Sequence, residues 1–182
     1  MRTWLKAVIA LLLLAIIIKL LLVGFFHLNH KHNKTKNYQG QVGVSTGLPI
    51  PRYVSLKAKT TNVRVGPGVQ YRIAWTFTQR SLPVKIINEY DNWRYIEDYT
   101  GSKGWITAGL LSSSKYILVA PNKKNRHYKL YNKKDVKSNI IAQISSGAIG
   151  SLKICEDNWC KVVFDRVTGW IEKKYLWGVN DY

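Results

Sequence analysis

Few residues in this 182-residue chain have a type and a spacing suited to covalent or acid–base chemistry. Cys155 and Cys160 are the only cysteines, and they flank the turn Glu156–Trp159. Strands on either side of such a turn bring these positions face to face, within the Cα separation a disulfide requires. The bond would close a short loop and contribute about 2 kcal/mol in the chain-entropy account. It would also imply an oxidising compartment, because cytosolic thiols stay reduced. Two buried thiols and a redox pair are the alternatives. CxxxxC lacks dithiol-motif spacing and opens no helix, which weighs against the redox pair.

An enzyme would need a nucleophile with a base, or paired carboxylates. His127 is the only histidine outside the N-terminal tail. Glu97 and Asp98 are adjacent, so in a strand their carboxylates point to opposite faces. His27, His30 and His32 have no cysteine or carboxylate nearby to complete a metal site, and no metal or cofactor is expected. The expectation is a non-catalytic chain, with a cell-wall hydrolase as the less favoured alternative. Recognition remains. Tyr71, Trp75, Tyr90, Tyr95 and Tyr99, with Arg72 and Arg94, are aromatic and basic residues placed at or near turns, and they are the candidate contacts. The competing role for each is packing, since aromatics supply much of a small core.

Charge points the same way. There are 28 Lys+Arg against 10 Asp+Glu, a net +18. Residues 1–37 hold six basic and no acidic residues, 38–113 hold nine and four, and 114–182 hold thirteen and six. The excess is therefore spread along the chain. Such a field attracts polyanions of any kind. No nucleic-acid motif accompanies it, so specific nucleic-acid binding is not expected.

The elements that would position these residues begin with an apolar run, 7–26, interrupted only by Lys19. Twenty residues at about 1.5 Å each span roughly the 30 Å hydrocarbon core. Residues 5–26 are expected to form a helix in the inner membrane. The run is longer than a signal peptide's apolar region and ends without a small-x-small site, which favours an uncleaved anchor over a cleaved signal. Residues 27–51 read as a polar linker. Short β-type runs alternating with turn signals then occupy 52–112 and, after a connector at 113–125, again 126–178. In the first copy Gly66, Pro67 and Gly68 suggest a type II turn with Gly68 at the positive-φ position. Asp91-Asn92-Trp93 returns as Asp157-Asn158-Trp159, and Gly104-Trp105 as Gly169-Trp170. The Trp-to-Trp spacings are twelve and eleven, which argues for duplication. The second copy lacks the Gly-Pro-Gly turn, so its first loop must differ. Trp105 is expected in the core.

Beyond single motifs, LPIPRYVSL at Leu48–Leu56, NVRVGPG at Asn62–Gly68, Trp75, Leu82-Pro83-Val84, EYDNWR at Glu89–Arg94, Ile96, Asp98, Gly101, Gly104-Trp105 and Leu110-Leu111 form a set. As a set they resemble the bacterial SH3-like (SH3b) family, in particular its alphaproteobacterial members once grouped as a domain of unknown function. The resemblance extends through residues 48–178. It implies a mainly β fold, two tandem small SH3-like β-barrels after one N-terminal hydrophobic helix. It also implies peptidoglycan or peptides as ligands, in the periplasm. A scaffold or accessory subunit that binds another envelope protein is the alternative.

Overall fold

The computed structural model describes Ile18, Lys19 and residues 40–179. Apart from Ile18 and Lys19, which are helical, the expected helix over 5–26 lies outside the described residues, as does most of the expected 27–51 linker. Among the described residues no helix is long and apolar enough to cross a membrane.

Seven strands form the first module: β1 Arg52–Leu56, β2 Thr61–Arg64, β3 Ile73–Phe77, β4 Pro83–Tyr90, β5 Trp93–Glu97, β6 Lys103–Thr107 and β7 Leu111–Ser112. Their order in the sheet is β3-β2-β6-β5-β4-β1-β7. A 3₁₀ turn, Ala108–Leu110, precedes β7. The second module repeats the plan with β8 Tyr116–Val119, β9 His127–Tyr131, β10 Ile140–Ser145, β11 Ile149–Glu156, β12 Trp159–Phe164, β13 Val167–Glu172 and β14 Leu176–Trp177. Its order, β10-β9-β13-β12-β11-β8-β14, is the same with every strand number raised by seven, and Lys173–Tyr175 is the matching 3₁₀ turn.

The duplication extends to irregularities. The β2–β3 register slips between Val63 and Arg64, and the β9–β10 register slips at the matching place, between Ile140 and Ala142. The β4–β5 slip between Ile86 and Asn88 recurs in β11–β12 between Leu152 and Ile154. Bulges bend a strand and increase its twist. In each module they let the sheet wrap its inward residues into one cluster. Leu56, Val63, Val84, Ile86, Ile96, Ile106 and Leu111 form the first core, and Ile117, Val119, Leu130, Ile144, Cys160, Val162, Phe164 and Ile171 the second. Leu118, Ile149 and Trp177 of the second module pack on the first core, so the modules share a packed boundary.

Four expectations need correction. Residues 113–125 are not simply a connector, because Tyr116–Val119 is β8, paired with β11 and β14. Residues 40–51 are not loose linker in the described structure: a Val42↔Pro49 bridge closes a small hairpin, and Ile50 is buried. The Gly-Pro-Gly turn is not type II, since neither Gly66 nor Gly68 is among the described glycines with positive φ. Gly66 serves close approach of the Tyr71 ring instead, and the Gly68 neighbour is the movable end of the exposed Gln70 side chain. A Cβ on Gly66 would fall 2.5 Å from the Tyr71 ring, and one on Gly68 would fall 2.3 Å from the Gln70 side chain.

Trp105 is the fourth. Along β6 the buried residues are Gly104 and Ile106, which puts Trp105 on the outer face, half-buried. A Cβ on Gly104 would meet Val63 Cγ1 at 2.4 Å. The Gly-Trp pair therefore places the smallest residue against the core and the largest outside, and Gly169-Trp170 does the same. The loop that replaces Gly-Pro-Gly in the second module is closed by Asp135. Its carboxylate accepts from the Lys137 N–H at 2.9 Å, and its carbonyl accepts from Ser138 N–H at 3.0 Å.

Candidate ligand-binding groove

The residues singled out in the first module do not converge on one site. Tyr71 and Arg72 are exposed on the loop between β2 and β3, where the Tyr71 carbonyl accepts from Arg64 Nη1 at 2.6 Å. Tyr90 is exposed at the β4–β5 turn. Tyr95 lies on the outer face, its ring 5.0 Å from that of Trp105. Trp75 and Tyr99 do meet. They line an open pocket of about 430 Å³ with Phe77, Leu82 and Asp98. Trp75 also packs edge-on to Phe77 at 6.0 Å, so much of its surface serves the core. Glu97 and Asp98 diverge as expected. Glu97 pairs with Lys85 at 2.8 Å, and the Lys85 hydrogen bond, against the opposing effect of burial, holds its carboxyl below the usual range with help from Lys103. Asp98 is buried and accepts from Thr100 and Ser102 to close its loop.

Arg94 is not available as a contact. It is buried, and its Nη1 donates to the Asp91 carbonyl at 2.8 Å and the Trp93 carbonyl at 2.9 Å. Its Nε lies 3.5 Å from Glu89, whose side chain is fully buried. Glu89 also accepts from Arg52, from the Thr46 N–H at 3.0 Å and from the Thr46 hydroxyl at 2.9 Å. Burial pushes this carboxyl up. The hydrogen bonds from Arg52 and Thr46, with the charges of Arg52 and Arg94, outweigh it and hold the group below its ordinary value. The hairpin at 42–49 is thus folded onto one carboxylate, and a Cβ on Gly43 would fall 2.3 Å from it.

Cys155 and Cys160 are joined, with Cα atoms 4.0 Å apart. They are direct partners across β11 and β12, and the connecting turn is the two residues Asp157 and Asn158. By register, Cys155 and Cys160 occupy the places of Glu89 and Arg94. One cross-strand pair, beside the same Asp-Asn turn, is an ion pair in the first module and a covalent bond in the second. Asp91 and Asp157 share the same backbone signature, φ 45° and 51°.

A further concavity was not anticipated. It is an open groove of about 880 Å³ in the second module, between the loop that follows β8, strand β9 and the 3₁₀ turn. The turn is tied to the loop by the Ala120 N–H, which donates to the Tyr175 carbonyl at 2.7 Å. Tyr128 and Tyr175 lie against each other, ring centroids 4.8 Å apart, with Tyr131 beyond them. Lys123, Arg126, His127, Lys129 and Lys174 line the same groove, with a single acid, Glu172. Lys174 is paired with Glu172, and hydrogen bonds to Glu172 and Tyr175 hold its ammonium above the ordinary range. The side chains of Lys123, Arg126 and Lys129 form no ion pair among the described residues. Basic groups interleaved with tyrosines in Lys123–Tyr131 were a usable signal. Treating 113–125 as a connector split that signal across a boundary.

A tandem repeat of a small all-β module, with grooves beside its 3₁₀ turns, defines the class. Comparison with known proteins gives the family: the bacterial SH3 domain matches residues 57–113 and 125–178, and the chain belongs to it. One curated relative is a putative N-acetylmuramoyl-L-alanine amidase, YrvJ of Bacillus subtilis (strain 168). It is 21% identical over 122 residues, which are 63% of this chain and 23% of that protein. Solved structures of NlpC2 and NlpC1 from Trichomonas vaginalis overlap 70% and 74% of this chain and 48% of each of theirs. Both have 13% identity and a TM-score of 0.31. The chain thus spans under half the length of each of these proteins.

Proposed function

We propose that this chain is a non-catalytic binding protein of the cell envelope, whose tandem modules hold peptidoglycan or a peptide ligand. The observation that carries it is the groove of Lys123–Tyr131 and Tyr175, where uncompensated cations rim a floor of tyrosines. Aromatic faces supply apolar contact at low entropic cost, and the cations steer and orient an anionic chain. The amidase relative, named for N-acetylmuramoyl-L-alanine, makes wall material the first ligand to try. Residues 5–26 would hold the chain in the inner membrane with the modules in the periplasm, or release it there if cleaved. The Cys155–Cys160 bond supports an oxidising compartment.

The test uses the full chain in mild detergent, mixed with insoluble peptidoglycan at about 0.1 M and about 1 M salt, where the screening length falls from about 10 Å to about 3 Å. Expected is co-sedimentation that persists in part at high salt, with no soluble fragments released. No sedimentation at either salt, or fragment release, overturns the proposal. A second reading, a scaffold for another envelope protein, is favoured by one feature. Val65, Val69, Tyr71 and Ile73 stand exposed beside β3, the outermost strand of its sheet.

A further inference from the structure

The two modules carry grooves on partly corresponding positions, with different chemistry. Register fixes the correspondence: Arg64 pairs with Trp105 as Tyr131 pairs with Trp170, so Thr60, Asn62 and Arg64 stand where His127, Lys129 and Tyr131 stand. Thr107 and Leu110 likewise match Glu172 and Tyr175. The loop is tied to the 3₁₀ turn by the same bond, Lys57 N–H to the Leu110 carbonyl in the first module and Ala120 N–H to the Tyr175 carbonyl in the second.

The first groove, about 490 Å³, is lined by Thr60, Asn62, Arg64, Asp91, Trp93 and Leu110 among others. Its one cation, Arg64, spends a donor on the Tyr71 carbonyl, and Asp91 opposes it. The second groove is larger, about 880 Å³, and is lined by Tyr128, Tyr175 and by Lys123, Arg126 and Lys129, which have no acidic partners among the described residues. Corresponding strands and 3₁₀ turns with different charge are what divergence of function after duplication produces. Diffuse basicity alone does not explain it, because the first module is basic too, yet its groove is lined by one cation, Arg64, beside Asp91.

We infer that the second module alone reads negative charge: its groove takes an extended peptide that carries carboxylates, seated on Tyr128 and Tyr175 with its acids on Lys123, Arg126 and Lys129. This rests on the modules forming a binding protein, and it names the ligand class and the half of the chain that recognises it. Guanidinium and ammonium groups on exposed stems suit carboxylates on a flexible chain. A peptide, lying along a groove rather than in a closed cavity, can present several of them at the spacing of these side chains.

The test titrates the full chain, in mild detergent, with a synthetic acetylated Ala-Glu repeat peptide bearing a free C-terminal carboxylate. An Ala-Gln repeat with an amidated terminus serves as its uncharged counterpart. Lys123→Gln/Arg126→Gln/Lys129→Gln is compared with Lys57→Gln/Lys59→Gln/Lys137→Gln, which removes the same charge from exposed positions outside the groove. Expected is about a tenfold weaker Kd for the groove variant, less than about a threefold change for the control, and little binding of the uncharged peptide. Equal weakening in both variants, equal binding of both peptides, or no binding by the native chain overturns the inference. If the groove variant fails to fold, amide shift mapping on the native chain decides: shifts at 121–131 and 172–177 support it, and shifts at 60–64 and 107–110 overturn it. Wall sedimentation separates the two proposals. A groove variant that sediments like the native chain sinks this inference alone. A native chain that ignores peptidoglycan yet binds the peptide sinks wall recognition alone.

Discussion

Glu89→Gln tests the best-defined electrostatic feature of the fold. Gln keeps the shape of the side chain and can still accept from Thr46, but it removes the charge that faces Arg52 and Arg94. Arg94 retains two carbonyl acceptors, whereas Arg52 retains the Pro49 carbonyl at 3.3 Å. Removing one partner from a buried pair costs about 3–5 kcal/mol. The isosteric change and the surviving acceptors put this case at the lower end, about 3 kcal/mol. In a folded region of this size that lowers Tm by about 10 °C at pH 7. The sign with pH follows from the lowered pKa of Glu89. Its contribution is fully present above the ordinary value of 4.5 and is lost as pH falls through the still lower folded value. The gap between native and variant Tm should therefore narrow as pH falls below 4.5. Thermal melts by circular dichroism at pH 7, 5 and 3 read it directly. A variant that melts with the native chain at pH 7, or a gap unchanged at pH 3, refutes the argument.

Three further outcomes are expected. Cys155→Ser with Cys160→Ser should fold and lose about 2 kcal/mol, and the native chain should gain alkylation mass only after reduction. Gly104→Ala should destabilise the first module by about 1–3 kcal/mol in denaturant melts, because its Cβ would strike Val63 Cγ1 at 2.4 Å in a packed core. Gly169→Ala should do the same to the second, where Leu130 Cγ at 2.6 Å and the Tyr131 carbonyl at 2.8 Å stand in the way; a stability unchanged in either would mean these contacts relax freely.

Much of the fold was legible because local rules and tertiary needs agreed. β4 and β5 lie where Pro83, the alternation of Val84–Tyr90 and the Asp91-Asn92 turn put them. The disulfide was legible for the same reason, since a tight turn fixes which residues oppose. β8 was not. Tyr116–Val119 sits between serines, lysines and a Pro-Asn turn, and only pairing with β11 and β14 makes it a strand. Gly66 and Gly68 look like type II turn glycines, yet neither has a positive φ, and Gly66 instead leaves room for the Tyr71 ring, a packing demand that turn patterns do not carry. Candidate contacts were sought among first-module aromatics, where Arg94 proved buried and Trp75 half-engaged in packing. The groove needed residues from a loop, a strand and a 3₁₀ turn about 50 residues apart in the chain, and charge neutrality of its counterpart became visible only through register.

The exchange of Glu89–Arg94 for Cys155–Cys160 at one register position has a consequence for how the molecule fails. Acid discharges the first pair and leaves the second untouched, while a reductant opens the second and leaves the first charged. Each half therefore has its own solvent vulnerability, and no single mild stress strips both of their cross-strand fastener.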